Sequence, residues 1–168
     1  GRRHNRMARR RLCAGVRFGL VGLLIRRASG ADSAALLALI HEHAHFEQGV
    51  ATITEGELAG LVAMRRPPVR IFGAASADRV IAYAALTSDY ALWRARRWAH
   101  LDCLFVSPKA RGAGVGAQLF CHVQHIARRL GADRLEWQTP DWNKRGIAFY
   151  NREGATGLPK MRFSLSLN

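Results

Sequence analysis

The sequence predicts a single domain of mixed α/β (α+β) class. We expect a central mixed, mostly antiparallel twisted sheet of about six to seven strands, flanked by about four helices. The first observation behind this is size and composition: of 168 residues, 49% are hydrophobic and 23% are charged, which suits one globular core. The second is patterning, because segments with helical periodicity alternate with short β-rich segments along the chain. A mean hydropathy of −0.09 excludes a multi-span membrane protein.

Basic charge is concentrated at the N-terminus. Lys and Arg total 26 against 12 acidic residues, and residues 1–26 hold eight Arg and no acid. The remainder is only mildly basic, so the net charge of +14 does not predict a nucleic-acid-binding fold. We expect residues 1–23 to be a basic, poorly ordered extension, with a tether to anionic surfaces or a targeting segment as alternatives. Residues 24–168 are the expected folded domain.

The first half of the chain predicts a strand, two helices and two strands. The run Leu23–Ala28 has strand character, and Asp32 is suited to cap the helix that follows. A capping box at Thr54-Glu55-Gly56-Glu57 opens a second helix, which Pro67-Pro68 ends. Two further strands are expected at Val69–Ala75 and Val80–Thr87, joined by a turn at Ser76-Ala77-Asp78.

The second half predicts a strand, a glycine-rich turn and a long helix, followed by a strand, a short helix and a last strand. The strand Ala99–Val106 ends at Ser107-Pro108, and a helix from Val115 ends at Gly131. The last three elements are expected at Arg134–Gln138, Asn143–Arg152 and Met161–Leu167, the last from its alternating apolar residues.

The turn Arg111-Gly112-Ala113-Gly114-Val115-Gly116 is the first candidate site. Its glycines allow the backbone to turn several N–H groups inward at a helix start, which suits a pyrophosphate. The third glycine comes one residue too early for GxGxxG, and Ala117 excludes GxxxxGK.

The residues on both sides of the glycine turn form a recognisable order of motifs. The chain has a strand ending in V-x-P, then R-x-x-G-x-G, then Asn143-x(4)-Ala148-Phe149-Tyr150-x(3)-Gly154-Ala155. This order resembles the signature of the GNAT superfamily of acyl-CoA N-acyltransferases. Further similarity to its diamine (spermidine/spermine) acetyltransferase branch covers about Leu24 to Leu167. It is carried by these segments: Ile25-Arg26-Arg27-Ala28, the helix with Leu36, Ile40 and Glu42, then Phe46-Glu47 and Asp141-Trp142-Asn143.

The resemblance implies acetyl-CoA as the acyl donor and assigns residues to it. The strand residues Leu104, Phe105 and Val106 would lie along the pantetheine arm. The pyrophosphate would be bound by Arg111, Gly112, Ala113, Gly114, Val115 and Gly116. Asn143 would contact the donor on the other side of the cleft. From their charge and position in the sequence, we expect Lys144 and Arg145 to meet the adenosine phosphates.

The resemblance also implies catalytic and acceptor-binding residues. Tyr150 matches the family tyrosine taken as the general acid for the leaving thiolate, and Asp102 falls where the diamine branch has a Glu that assists proton removal. Glu47 and Asp89, together with Asp102, are expected to line the amine site. Cys103 departs from the branch, which has an acid there, and this argues against a polycationic acceptor. The loop with Arg94, Arg96 and Arg97 would face an acceptor carboxylate or solvent.

Two other patterns suggest different functions. His41-Glu42-His43-Ala44-His45 matches the zinc-peptidase motif H-E-x-x-H, but Gln48 and Ala51 occupy the extended glycine and histidine positions, so we predict no metal site. The Trp93–Trp98 loop and the basic N-terminus suggest a non-catalytic acyl-CoA or RNA-binding module.

The sequence therefore predicts an N-acetyltransferase. We expect direct transfer of the acetyl group from acetyl-CoA to a primary amine of a small molecule: a diamine, a polyamine or a lysine-like amino acid. A peptide or protein amine is the alternative acceptor. The branch also implies a homodimer, and we expect a cytoplasmic protein with neither a membrane nor a nucleic-acid partner.

Overall fold

The computed structural model describes residues 22–167, so the predicted extension at residues 1–23 lies almost wholly outside the described residues. The chain divides into two compact units, residues 22–138 and residues 139–167. The first unit contains these elements: β1 Leu24–Arg27, α1 Ser33–Phe46, α2 Glu55–Ala63, β2 Arg70–Ser76, β3 Arg79–Ala91, β4 Arg96–Val106, α3 Val115–Arg129 and β5 Leu135–Glu136. The second contains α4 Lys144–Arg152.

The sheet has the order β1-β2-β3-β4-β5. The first three pairings are antiparallel and β4 pairs with β5 in parallel, which confirms the predicted mixed, mostly antiparallel sheet and the α+β class. A tight turn joins β2 to β3, and Ala77 and Asp78 both adopt positive φ, as a two-residue hairpin with right-handed strand twist requires.

Helices cover both faces of the sheet in the first unit. Ile71 packs in a core cluster with Leu36 of α1 and Leu58 of α2. The next residue, Phe72, meets the His122 ring of α3 edge to face. Successive side chains of a strand point to opposite faces, so α1 and α2 cover one face and α3 covers the other.

The start of α1 is fixed by an ion pair. The Arg26 guanidinium contacts both carboxylate oxygens of Asp32, at 2.6 and 2.8 Å, and Ser29 donates its N–H and its hydroxyl to the same carboxylate. The Arg26 hydrogen bond is the main cause that holds the pKa of the nearly buried Asp32 carboxyl well below its usual range. This joins the end of β1 to the beginning of α1.

The strand predictions differ from the structure in number and in extent. Residues 22–167 hold five strands instead of about six to seven, and β3 and β4 are longer than the expected Val80–Thr87 and Ala99–Val106. The strand expected at Arg134–Gln138 shortens to Leu135–Glu136, because only these two residues pair with β4. The strand expected at Met161–Leu167 is wrong, since residues 161–167 form no regular element. Their alternation would define a strand only against a paired, half-buried surface, and Met161, Phe163, Leu165 and Leu167 are all exposed.

Candidate active site

A β-bulge on β4 places Asp102 at the start of the site. Ala85 of β3 pairs with Cys103 and Leu86 pairs with Leu101, so Asp102 is the extra residue on β4. A bulge bends its strand and redirects the side chain of the extra residue. The Asp102 side chain is 56% exposed, and its carboxylate is thus available to an incoming ligand.

A polar cluster lies beside this bulge. His43, on the last turn of α1, has its Nδ1 2.9 Å from the Tyr83 hydroxyl of β3. The His43 Nε2 lies 3.5 Å from Oε1 of Glu47, one helical turn further along the chain. The Cys103 thiol donates to Oδ2 of Asp102 across 3.6 Å. Three separate elements therefore bring their polar side chains to one place.

The two carboxylates act electrostatically on the same buried groups. Burial is the main cause that raises the pKa of the Cys103 thiol to about 12, and Asp102 and Glu47 add to the shift. Burial likewise raises the pKa of the Tyr83 phenol, with contributions from Cys103, Asp102 and Glu47. At neutral pH the thiol and the phenol are therefore protonated, and Cys103 supplies no thiolate nucleophile.

The His43 ring is held in an aromatic setting. It stacks on Phe105 with a centroid distance of 4.9 Å and an interplanar angle of 21°. Arg111 places its guanidinium carbon 5.3 Å from the centre of the same Phe105 ring and 5.4 Å from that of Phe46. Burial lowers the pKa of His43, so its imidazole is neutral at pH 7.

The outer edge of β4 is open next to these groups. The parallel pairing with β5 involves only Ala99 and His100. Within residues 22–138, no other strand pairs with the outer edge of β4 between Asp102 and Val106. The Val106 carbonyl accepts the Arg111 Nε–H at 2.9 Å, which ties the glycine turn to the end of β4. An extended ligand is therefore able to lie along this edge as an added strand would.

The glycine turn has the backbone of an anion-binding nest. Gly112 and Gly114 have φ of +86° and +78°, in the left-handed region that other residues rarely adopt. Gly114 is the N-cap of the 15-residue helix α3, so the unpaired N–H groups of its first turn face the loop. Gln118 adds a side-chain donor, since its Nε2 is buried without a partner among the described atoms. A buried amide without a partner beside such a turn fits an oxygen-rich ligand such as a pyrophosphate.

The second unit presents Asn143 in a fixed orientation. The Asn143 Oδ1 accepts the Gly146 N–H at 3.0 Å and caps α4, while its Nδ2 donates to the Thr139 hydroxyl at 2.9 Å. Gly146 leaves room for this arrangement, because a Cβ at this position would lie only 2.5 Å from the Asn143 amide nitrogen and would displace that side chain. Further along α4, Tyr150 packs edge to face against Phe149.

Comparison with known proteins identifies the family. Residues 34–155 match the model of the acetyltransferase (GNAT) family, and this range includes the bulge, the glycine turn and α4. The chain belongs to the acetyltransferase (GNAT) family. GNAT acetyltransferases use acetyl-CoA as acyl donor, and the protein is an acetyl-CoA-dependent acetyltransferase. The nest, the open strand edge and Gln118 fit that donor.

The chain is also similar to individual proteins and to a solved structure. A thialysine N-epsilon-acetyltransferase from Bos taurus is 27% identical over 81% of this chain and 85% of its own length. The L-ornithine N5-acetyltransferase NATA1 from Arabidopsis thaliana is 30% identical over 51% of this chain and 38% of its own length. An integron cassette protein from V. cholerae superposes with a TM-score of 0.72 at 25% identity, over 89% of this chain and 95% of that one.

The structure brings only some of the predicted GNAT site residues together. Glu47 and Asp102 both act on His43, whereas Asp89 lies on β3 three residues beyond Leu86, about 10 Å from the bulge at ~3.3 Å per residue. The predicted donor and acid residues Asn143, Arg145 and Tyr150 belong to the second unit, and their roles stay predictions. Arg94 lies in the loop before β4 and forms an ion pair with Asp133 at 2.5 Å. Arg96 and Arg97, which were expected in the same loop, are exposed residues of β4.

Three residues of the site were not predicted from the sequence: His43, Tyr83 and Gln118. The i,i+4 spacing of His43 and Glu47 is a sequence signal for this ion pair. The overlapping H-E-x-x-H pattern instead involves His41 and His45, which are both exposed. Tyr83 had no signal, because its role depends on which face of β3 meets α1.

Among residues 22–167, no helix combines the length and apolar character needed to cross a bilayer.

Proposed function

We propose that this GNAT enzyme acetylates the terminal primary amine of a small molecule, most specifically the side-chain amine of a lysine-like amino acid. The observation that carries the proposal is the placement of Glu47 and Asp102 around one cluster beside the open edge of β4. Two exposed carboxylates at this edge suit the cationic end of an alkylamine. The relatives agree with this chemistry, since the names thialysine N-epsilon-acetyltransferase and L-ornithine N5-acetyltransferase both specify a side-chain nitrogen of an amino acid.

Deprotonation of the amine is the main chemical requirement. An alkylamine with a pKa near ~10.4 is neutral in only about one molecule in ~2,500 at pH 7, which costs about 4.6 kcal/mol if nothing relieves it. We assign Asp102 to accept this proton, through a water molecule because its side chain is short. Glu47 holds the ammonium group in the site before the proton leaves.

The transfer itself takes place within a ternary complex of enzyme, acetyl-CoA and amine. The amine nitrogen attacks the thioester carbonyl carbon, the carbon–sulfur bond breaks, and the departing thiolate takes a proton from Tyr150. The acylated nitrogen releases its second proton and Asp102 its accepted proton to solvent, and Tyr150 regains a proton from solvent, so the enzyme returns to its starting state. The nest at Gly112 and Gly114 anchors the donor through its pyrophosphate, and Asn143 and Arg145 supply further donor contacts. In this account no covalent acyl-enzyme forms, in agreement with a Cys103 thiol that stays protonated.

Cys103 favours an amino acid over a polyamine as acceptor. Its neutral thiol stands where the diamine branch carries a second acid, so the site has one negative charge fewer for a polycation. The experiment is a comparison of kcat/KM for thialysine, L-lysine, L-ornithine, spermidine and spermine, with the acetylated nitrogen located by NMR. A preference for spermidine, or acetylation of the α-amine, would refute the amino-acid assignment.

From the resemblance to the diamine acetyltransferase branch, we also propose that the enzyme is a homodimer located in the cytoplasm. Sedimentation equilibrium at micromolar concentration measures the first property, and a purely monomeric species would contradict it. A peptide or protein amine is the alternative acceptor, and turnover of a lysine-containing peptide above that of every free amine would favour it.

A further inference from the structure

His43 is a partly buried titratable group that the transfer mechanism leaves unused. Its side chain is 14% exposed, and it lies between the Tyr83 hydroxyl on one ring nitrogen and the Glu47 carboxylate on the other. Stacking on Phe105 fixes the plane of the ring. A side chain confined in this way on three sides has one orientation available to it.

The partners of His43 determine which ring nitrogen carries the proton. The Glu47 carboxylate only accepts hydrogen bonds, so the nearby Nε2 must carry the hydrogen for an attractive contact. The Tyr83 phenol keeps its proton, because burial and the surrounding negative charges raise its pKa, so its hydroxyl is able to donate to an unprotonated Nδ1 at 2.9 Å. We therefore expect neutral His43 to be the Nε2–H tautomer, which would connect Tyr83 to Glu47.

We propose that His43 is a positioning residue of the acceptor site, which holds the Glu47 carboxylate through its Nε2–H so that Glu47 binds the cationic amine. This inference rests on the proposed function, because it concerns the amine-binding carboxylate of the same site. Glu47 follows the last residue of α1 and its side chain is 40% exposed. Without a partner, a carboxylate at a helix end would sample several rotamers, and one fixed rotamer is what a bound ammonium group requires.

The charge state of His43 is part of the same role. The charged and titratable groups around it are Glu47 on its own helix, Tyr83 on β3, Asp102 and Cys103 on β4, and Arg111 in the loop after β4. A neutral imidazole leaves the charges of Glu47 and Asp102 available to the ammonium group. A protonated imidazole would cancel one of them and repel the acceptor, so acceptor binding weakens at acid pH.

The kinetic experiment compares His43→Gln with His45→Gln, an exposed histidine on the same helix. We expect His43→Gln to raise KM for the amine about tenfold, with kcat and KM for acetyl-CoA within about twofold of wild type, as for loss of orientation without loss of chemistry. In wild type, KM for the amine should also rise as pH falls through the His43 pKa, and His43→Gln should lack this rise. An unchanged KM for the amine, or equal effects of the two variants, would overturn the proposal.

A second measurement needs no turnover and so separates this inference from the proposed function. Long-range ¹H–¹⁵N spectra of the full chain labelled at histidine report the tautomer and pKa of each ring. We expect His43 as the Nε2–H tautomer with a pKa below that of a free imidazole, and loss of this fixed tautomer in Tyr83→Phe. An Nδ1–H tautomer in wild type overturns the positioning role even if the enzyme acetylates amino acids. A correct tautomer in an enzyme that ignores small amines overturns the proposed function alone.

Discussion

Substitution of glycine by alanine in two helices should change stability in opposite directions. An Ala at Gly146 would bring its Cβ to 2.5, 2.9 and 3.0 Å from the Asn143 Nδ2, Cγ and Oδ1 atoms, so the Asn143 side chain must leave its position. A Cβ at Gly60, inside α2, would meet no atom within 4 Å apart from its chain neighbours and the backbone of its own helix. The two changes remove the same backbone freedom, but only one of them disturbs a helix cap.

The expected magnitude follows from the bonds that Asn143 makes. Loss of the N-cap costs about 1 kcal/mol, and loss of the hydrogen bond to Thr139 costs about 1 kcal/mol more. Replacing a helical glycine by alanine raises the free energy of unfolding by about 0.5–1 kcal/mol. Gly146→Ala should therefore lower the free energy of unfolding by about 1 kcal/mol and Tm by about 3 °C. Gly60→Ala should raise both, by about 0.5–1 kcal/mol and about 2 °C.

The assays are thermal unfolding and calorimetric titration with acetyl-CoA. Because Asn143 is a predicted donor contact, Gly146→Ala should also weaken acetyl-CoA binding two- to tenfold, about the worth of one hydrogen bond. Gly60→Ala should leave the binding constant unchanged. Equal stabilisation in the two variants would refute the packing of Asn143 on Gly146. Normal acetyl-CoA affinity in a destabilised Gly146→Ala would remove Asn143 from the donor site.

Three further predictions concern chemistry and pH. Tyr150→Phe should lower kcat more than about tenfold at nearly constant acetyl-CoA affinity, and normal turnover would exclude Tyr150 as the general acid. Asp102→Asn should lower kcat and shift the pH–rate profile, and an identical profile would place the base elsewhere. Burial lowers the pKa of His43 and of His122, so as pH falls the unfolded chain binds these protons before the folded chain does. The free energy of unfolding, measured by urea titration, should therefore fall from pH 7 to pH 5. Constant stability over that range would contradict this.

Elements with strong local signals could be predicted from the sequence. The capping box at Thr54 and the start of α3 after Gly114 both agree with the structure, because capping and positive φ depend on residues within one turn. The buried stripe of α3 was also predicted, since Val115, Leu119 and Val123 recur at helical spacing and are fully buried.

Features that depend on pairing between distant segments could not be predicted. The bulge at Asp102 arises from the register of β4 against β3, which no local pattern records. The role of His43 depends on α1 lying over Tyr83 and Phe105, and the histidine-rich sequence around it suggested a metal motif instead. The last predicted strand, Met161–Leu167, was wrong because alternation does not show whether a sheet edge is available to pair with it.

The central claim is that this GNAT enzyme acetylates the side-chain amine of a small amino acid. The most direct measurement is the initial rate of thiol release from acetyl-CoA with thialysine, L-lysine and L-ornithine, beside diamines, polyamines, aminoglycosides and peptides, in wild type and Glu47→Gln. We predict turnover that is highest with the amino acids, and a higher KM for the amine in Glu47→Gln. Tight acetyl-CoA binding with no release for any amino acid, or equal KM values for wild type and Glu47→Gln, would contradict it.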